Sequence, residues 1–200
     1  MRNINSIAEK MKQDLTRTET ILEFGTFSVT SGELVLSDPC YGLDVWCLKK
    51  VDGVKNGIWK FYGIQSDEAI FGKRISAIYA VHADAEDVSL VLEHIDNLGV
   101  DSGQFGIFDA DFYRNDSQFA DDFAPKNDFA KGEEGGKFYG ACCDLTLSDQ
   151  HGGVLSGGGV TSSGYGDGCY EGCLYLLEGE IVGAYVRFIE DEPDDNDWLD

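Results

Sequence analysis

Apolar residues recur in short runs along most of the chain, and glycine or a turn dipeptide such as Asp52-Gly53 or Glu178-Gly179 breaks each run. The runs are rich in β-branched and aromatic residues, which favour strands. Short strands that follow one another through tight turns favour antiparallel pairing. The pattern predicts strands over residues 26–29, 33–36, 45–50, 58–64, 75–81, 97–100, 105–108, 137–142, 154–156, 159–162, 169–177 and 181–189.

Two segments instead repeat their apolar residues at the spacing of a helix. In the first, Ser6 and Glu9 form a capping-box pattern, in which each side chain satisfies a free backbone N–H. In the second, Asp84 occupies the N-cap position of a helix that is predicted to run through residue 95. The apolar residues at helical spacing are Ile4, Ile7, Ala8, Met11 and Leu15 in the first segment and Val88, Val91, Leu92 and Ile95 in the second.

These elements predict a mainly β protein, with an α+β class left open. The expected architecture is an antiparallel β-sandwich-like domain with an N-terminal helix and one or two packed helices. The predicted divisions are an N-terminal helical segment (residues 1–24), a single β-rich domain (25–189) and an acidic tail (190–200). A chain of 200 residues buries enough surface to fold without a disulfide or a metal ion.

The same pattern predicts a cytoplasmic protein with no membrane partner. The longest apolar runs, such as residues 88–92, are far shorter than the ~20 residues that span a bilayer. The first residues lack the uninterrupted apolar stretch of a signal peptide. The six cysteines are therefore interpreted mainly as reduced thiols, because no export signal indicates an oxidising compartment.

Charge changes the picture more than any other property of the composition. Residues 1–74 carry ten basic and ten acidic side chains, so the whole net charge of −22 lies after Arg74. The acidic residues concentrate in residues 109–134 and 190–200. Such a surface repels phosphate backbones, which argues against direct nucleic-acid binding. The predicted partner is a basic protein surface, and no oligomeric state is predicted.

Residues 109–136 interleave aromatic residues with Asp and Asn. This composition predicts a long, partly helical excursion over the sheet, with aromatic anchors on one side and a solvated acidic face on the other. Long excursions of this kind often carry function. The predicted partner-binding acidic face comprises Asp111, Asp116, Asp121, Asp122, Asp128, Glu133 and Glu134.

Three clusters combine a carboxylate with flanking glycine or proline: residues 37–41, residues 99–103 with 108–111, and residues 157–170. The simplest interpretation is three tight turns, in which Asp bonds to nearby backbone N–H groups. The alternative is that the clusters meet at one end of the sheet around a cation or a polar ligand. The ligand-binding candidates are then Asp38, Tyr41, Asp101, Ser102, Asp109, Tyr165, Asp167 and Tyr170.

No catalytic residue, metal ligand set or cofactor is assigned from the sequence. The clusters do not match the EF-hand spacing, and the chain has neither a P-loop nor a G-x-S-x-G elbow. The three histidines, His82, His94 and His151, have no pairwise ligand spacing. His94 and His151 are interpreted as surface groups.

The third cluster carries a family resemblance. The run Ser163-Gly164-Tyr165-Gly166-Asp167-Gly168-x-Tyr170, followed by Gly179-x-Ile181-Val182, resembles a bacterial and phage family labelled domain of unknown function 4241. Two earlier runs agree in order: residues 31–34 leading to Asp38-Pro39, and residues 100–106 leading to Phe108-Asp109. The resemblance covers about residues 25–189 and implies a bacterial or phage source. It implies no activity and no catalytic residues.

Three functions remain open at this point. The first is a non-enzymatic binding or inhibitor protein of phage type, which imitates a nucleic acid and places its acidic face on a basic host or defence protein. The alternative is a protein, or even a hydrolase, that binds a small polar ligand or a divalent cation through the glycine-framed Asp cluster. In the third, acidity serves solubility, and the function lies in a surface that the sequence does not reveal.

Overall fold

The computed structural model describes residues 2–4, 11, 19–85 and 90–190. The predicted acidic tail beyond residue 190 lies outside the described residues, as does most of the predicted N-terminal helix. Met11 has a helical backbone and is buried, but its neighbours in the sequence are outside the described part. The N-terminal helix therefore stays a prediction.

The described strands form two antiparallel sheets. The first sheet contains β1 (Arg2–Ile4), β2 (Thr20–Val29), β5 (Gly57–Asp67), β6 (Lys73–His82), β7 (Leu90–Val100), β11 (Gly168–Leu177) and β12 (Glu180–Arg187), in the order β1-β7-β11-β12-β6-β5-β2. The second contains β3 (Leu34–Ser37), β4 (Lys49–Val51), β8 (Gln104–Asp109), β9 (Gly152–Leu155) and β10 (Gly158–Ser162), in the order β4-β3-β8-β10-β9. The prediction of a mainly β, antiparallel protein is confirmed.

The main hydrophobic core lies between the two sheets. Trp59 and Phe61 of β5 are completely buried there with Leu36 of β3 and Ile107 of β8. Gly159 of β10 lacks the side chain that would occupy the space of the Phe61 ring, so the sheets approach closely at this point. Burial of several large aromatic side chains in one cluster is the dominant favourable contribution to folding here.

Each sheet also buries part of its outer face. On the first sheet, Tyr79, Tyr175 and Val182 form a second cluster with Met11. On the second sheet, Phe108 packs against Phe138 of the helix α1 (Gly136–Thr146). Residues 110–135, which we call the acidic excursion, cover the same outer face between β8 and α1. Short 3-10 turns lie at Ala69–Phe71, Ala83–Ala85 and Asp116–Gln118.

The helix predicted from Asp84 through residue 95 is wrong, because residues 90–100 form β7. Leu92 is buried on the outer face of the sheet, whereas Ile95 and Leu98 are buried on the inner face. The pairing with β11 shifts register between Ile95 and Leu98, and Asn97 adopts a φ of 59°. Ordinary alternation puts Leu92 and Ile95 on opposite faces, and the bulge keeps Leu98 on the same inner face as Ile95, so the spacing of three imitates a helix.

The strand predicted over residues 137–142 is also wrong, because these residues lie in α1. Phe138, Cys142 and Leu145 pack on the second sheet at the spacing of a helical face. The carboxylate of Asp116 accepts the backbone N–H of Phe138 at 3.0 Å, which satisfies one of the free donors in the first helical turn. Aromatic content favoured a strand in the sequence, but the helical periodicity prevails in the structure.

Two predicted boundaries also differ from the structure. Residues 2–4 form β1 and residues 20–24 begin β2, so both of these parts of the predicted N-terminal helical segment over residues 1–24 belong to the sheet. Within the strand predicted over residues 45–50, only the last two residues join β4, and residues 42–48 form consecutive turns. The excursion after β8 is present as predicted, although its only regular element among the described residues is the 3-10 turn at Asp116–Gln118.

Candidate functional site

Asp38 follows β3 and is completely buried. Its Oδ2 accepts the backbone N–H groups of Asp101 at 2.9 Å and Ser102 at 2.6 Å. Its Oδ1 accepts the Ser102 hydroxyl at 2.6 Å and the backbone N–H of Cys40 at 2.9 Å. A carboxylate offers about four acceptor positions, and this one has four donors. Asp38 therefore joins the first two glycine-framed clusters, and its acceptor positions are occupied within the protein.

Further polar side chains gather around Ser102. The amide of Gln104 donates to the Ser102 hydroxyl at 3.3 Å and to the Cys143 sulfur at 3.5 Å. The hydroxyl of Thr146 donates to the Gln104 carbonyl oxygen at 2.8 Å. These contacts connect β8 and α1 with the turn that Asp38 holds. We call Asp38, Cys40, Ser102, Gln104, Tyr139 and Cys143 the Asp38 cluster.

The thiols and phenols in and around this cluster are held protonated. Burial and the adjacent Asp38 carboxylate raise the pKa of Cys40 to about 12, because both disfavour the thiolate. Burial also raises the pKa of Tyr139 to about 12. The pKa values of Tyr41 and Cys143 are raised, again mainly by burial. At neutral pH these groups act as hydrogen-bond donors and are poor nucleophiles.

Two side chains of the acidic excursion, Tyr113 and Arg114, bind the backbone of the loop after Asp38. The Tyr113 hydroxyl lies 3.0 Å from the carbonyl oxygen of Asp38 and 2.8 Å from that of Tyr41, and burial raises its pKa. The Arg114 guanidinium donates to the carbonyl oxygens of Pro39 and Cys40 at 3.1 and 3.2 Å. Arg114 also donates to the carbonyl oxygen of Glu134. The Asp38 cluster and the acidic excursion are therefore directly connected.

Asp109 lies at the other end of the β3–β8 pair. In this pair Leu34 faces Asp109 and Ser37 faces Gly106, so Asp38 and Asp109 are separated by about 13 Å along the strands. The buried Asp109 carboxylate accepts the backbone N–H groups of Thr30 at 2.5 Å, Ser31 at 3.0 Å and Asp111 at 2.8 Å. It borders a cavity of about 230 Å³ that is also lined by Ser28, Thr30, Gln118, Ser156 and Gly157.

The third cluster forms the connection from β10 in one sheet to β11 in the other. The backbone N–H of Ser163 donates to the Gly103 carbonyl at 3.1 Å, which places this connection beside the turn that Asp38 holds. Gly166, with a φ of 115°, accepts the Tyr170 hydroxyl at 2.8 Å. Burial raises the pKa of Tyr170. Tyr165 and Asp167 are exposed, and the Tyr165 hydroxyl donates to Glu68.

The eight predicted ligand-binding residues thus occupy different places. Asp38, Asp101 and Ser102 lie together, and Tyr41 is adjacent to Asp101. Asp109 is separate from this group, and the exposed Tyr165 of the third cluster contacts Glu68 instead. Sequence reasoning missed Cys40, Gln104, Tyr113, Arg114, Tyr139 and Cys143. The helical spacing of Tyr139, Cys143 and Thr146 is the signal that would have placed α1 beside the cluster.

The acidic excursion exposes six of the seven residues of the predicted acidic face: Asp111, Asp121, Asp122, Asp128, Glu133 and Glu134. The seventh, Asp116, is half-buried and caps α1. None of the six exposed carboxylates lies within 4.0 Å of a basic side chain in the described part of the chain. Lys126 and Lys131 are the exposed cations of the same segment.

Comparison with known proteins gives no further guidance. No protein-family model matches the chain, and neither a curated protein nor a solved structure matches it. The resemblance to the family labelled domain of unknown function 4241 therefore stays a prediction. Within residues 2–4, 11, 19–85 and 90–190, no three His, Cys, Asp or Glu side chains are grouped to hold a metal ion. No helix in that part of the chain is long and apolar enough to cross a membrane.

Proposed function

We propose that the protein is a non-enzymatic binding protein whose acidic excursion docks on a basic protein surface. The observation that carries this proposal is the set of six exposed carboxylates on one covalent segment, none of them paired with a basic side chain among the described residues. With only Lys126 and Lys131 exposed beside them, the segment presents an excess of negative charge. Such a surface steers a cationic partner and disfavours a nucleic acid.

The excursion is irregular, but its backbone is held at several points. Asp144 of α1 accepts the backbone N–H groups of Lys126 at 2.9 Å and Asn127 at 2.8 Å. Lys137 donates to the carbonyl oxygens of Ala120 at 2.9 Å and Asp121 at 3.2 Å. A segment that is already ordered loses less conformational entropy when a partner binds. This scaffold is consistent with a preformed docking surface.

An exposed aromatic side chain supplies the apolar part of the proposed surface. Phe129 is 70% exposed and stands next to Asp128. Phe112 and Phe119 of the same segment pack instead toward the sheet, with ring centroids 5.8 Å apart. An aromatic anchor surrounded by charged groups is typical of the energetic centre of an interface. The finer proposal is that the partner is a basic nucleic-acid-binding host or defence protein, whose groove the carboxylates occupy.

The test is site-specific photocrosslinking in bacterial lysate. A benzophenone amino acid replaces Phe129 in one protein and Leu147, a 64% exposed residue outside the excursion, in the control. We expect a crosslinked basic protein at position 129 at about 50 mM salt, and a much weaker product at about 500 mM salt. The captured partner is then purified, and its nucleic-acid binding is measured with and without this protein.

Two charge variants test whether the carboxylates of the acidic excursion are responsible for the crosslink. The first converts its six exposed carboxylates to Asn or Gln and should lose the crosslink. The matched control converts six exposed carboxylates elsewhere and should keep it: Asp52, Asp96, Asp149, Asp167, Glu178 and Glu180. Equal loss in both variants would reduce the proposal to a net-charge effect, and equal retention would contradict it.

The alternative function, a small polar ligand or a cation bound by the glycine-framed aspartates, has less support. The carboxylates of Asp38 and Asp109 are buried and are already surrounded by donors from the protein. A ligand or a cation would have to displace backbone N–H groups that hold two turns, which leaves buried donors unsatisfied. The cavity beside Asp109 is the most suitable place to search for such a ligand.

A further inference from the structure

A second region with potential chemistry lies on the outer face of the first sheet, away from the acidic excursion. Cys173 of β11 pairs directly with His94 of β7 on one side and with Tyr185 of β12 on the other. Directly opposed residues of antiparallel strands project from the same face. His94 is therefore a strand residue beside a thiol, and not the helix-surface histidine that the sequence suggested.

The thiol and the imidazole are in contact. The Cys173 sulfur lies 3.6 Å from Nδ1 of His94, within hydrogen-bond distance for sulfur. With the ring proton on Nε2, Nδ1 is an acceptor and can take the thiol proton. A histidine in this position can convert a thiol to the thiolate, which is the reactive form of cysteine.

A cavity of about 280 Å³ opens onto this pair. Both residues line the cavity; Cys173 is only 8% exposed, whereas His94 is exposed. Arg187 also lines the cavity, and its guanidinium forms an ion pair with Glu19 at 3.1 Å. The other lining residues are Glu171, Gly172, Tyr185 and Glu190.

The lining also limits what can enter. The exposed carboxylates of Glu171 and Glu190 stand on the rim and disfavour anions. The small volume excludes large molecules. We propose that Cys173, assisted by His94, is a modification site that takes small uncharged hydroperoxides.

The proposed step balances without a further reactant. Cys173 gives its proton to His94, and the thiolate sulfur attacks the terminal oxygen of the hydroperoxide. The S–O bond forms as the O–O bond breaks, and the leaving oxygen takes the proton from His94 to depart as water or an alcohol. The sulfur is oxidised to a sulfenic acid and the hydroperoxide is reduced. A thiol can later return the sulfenic acid to cysteine.

The chain supplies an internal control for the test. Cys169 lies on the same strand and is exposed, and no histidine in the described residues is paired with it. Accessibility alone predicts faster oxidation at Cys169, whereas activation by His94 predicts faster oxidation at Cys173. The full-length protein is treated with hydrogen peroxide and dimedone, and the labelled peptides are quantified by mass spectrometry. We expect labelling at Cys173 to be about fivefold faster than at Cys169.

The variant His94→Ala tests whether His94 activates the Cys173 thiol without disturbing the fold. Since His94 is exposed, its removal should leave the fold intact, which circular dichroism would check. Labelling of Cys173 should fall below that of Cys169 and should recover when free imidazole is added. Labelling of Cys173 that is slower than that of Cys169 in the unmodified protein would overturn the proposal. An unchanged rate at Cys173 in His94→Ala would overturn it as well.

Discussion

Asp38 and the six exposed carboxylates of the acidic excursion are the same chemical group in opposite surroundings. Asp38 is completely buried and accepts four hydrogen bonds, all from within the protein. The six excursion carboxylates face solvent and have no basic partner among the described residues. The two regions are nevertheless adjacent, because Arg114 binds carbonyl oxygens in both.

The contrast shows that the role of a carboxylate depends on the hydrogen-bond donors around it more than on its position in a sequence motif. A buried carboxylate is tolerated only when hydrogen bonds replace its hydration, so Asp38 stabilises a turn. An exposed carboxylate keeps its hydration, contributes little to stability and remains available to a partner. Asp109 belongs with Asp38 in this respect, although it lies at the other end of the β3–β8 pair.

The largest loss of stability should follow a substitution of the buried carboxylate, Asp38. In Asp38→Asn, an amide N–H₂ replaces one carboxylate oxygen and faces backbone donors, so buried N–H groups lose their acceptor. We expect a loss of about 3 to 5 kcal/mol in the free energy of unfolding, and a fall in Tm of roughly 10 °C. Urea denaturation and thermal unfolding would measure these changes.

Asp128→Asn is the matched control, because this residue is exposed on the excursion. Its free energy of unfolding should change by no more than about 0.5 kcal/mol. If the two variants were equally stable, the hydrogen bonds of Asp38 would be replaced by water in the variant. The assignment of Asp38 as a stabilising group would then be wrong.

The comparison also shows how far the sequence can be interpreted. Short apolar runs and turn dipeptides predicted most strands, because strands such as β3, β6 and β8 are buried along nearly their whole length. β7 was misassigned because a bulge after Ile95 changes the face on which Leu98 is buried, so Leu92, Ile95 and Leu98 are all buried at a spacing of three that imitates a helix. Only tertiary pairing reveals such a change of face.

The candidate site was also only partly predictable, because its motifs are local whereas their meeting depends on tertiary structure. The motifs around Asp38 and Ser102 are local, and their residue types indicate turns that accept hydrogen bonds. Their meeting depends on the pairing of β3 with β8, which a single sequence does not reveal. Tyr139 and Cys143 were missed since α1 was taken for a strand, which would have put successive side chains on opposite faces. The contact of His94 with Cys173 likewise depends on strand register.

A smaller loss of stability should appear at alkaline pH. It should come from groups in the Asp38 cluster and not from the exposed carboxylates. The pKa of Cys40 is raised from 9.0 to about 12 and that of Tyr139 from 10.0 to about 12. The folded protein keeps protons in this range that the unfolded chain releases. This stability is therefore fully present below pH 9 and is lost as the pH rises toward 12. The urea midpoint should be lower at about pH 10.5 than at about pH 8.

Cys40→Ala provides the sharper version of this experiment. Removal of the half-buried thiol should flatten the alkaline loss of stability, whereas Cys169→Ala, at an exposed position, should leave it unchanged. If both variants retained the slope of the parent protein, the alkaline response would come from other groups, such as the buried phenol of Tyr113.

The smallest change in stability should follow substitution of the exposed carboxylates of the acidic excursion. Conversion of the six excursion carboxylates to Asn or Gln should change the free energy of unfolding by no more than about 1 kcal/mol, since each carboxylate is hydrated in the folded protein. The change should favour the folded state at low salt and shrink at high salt, because like charges are removed. Urea unfolding at about 50 mM and about 500 mM salt would measure it. A loss larger than that of Asp38→Asn would mean that these carboxylates hold the fold, and the docking surface would then have to be sought elsewhere.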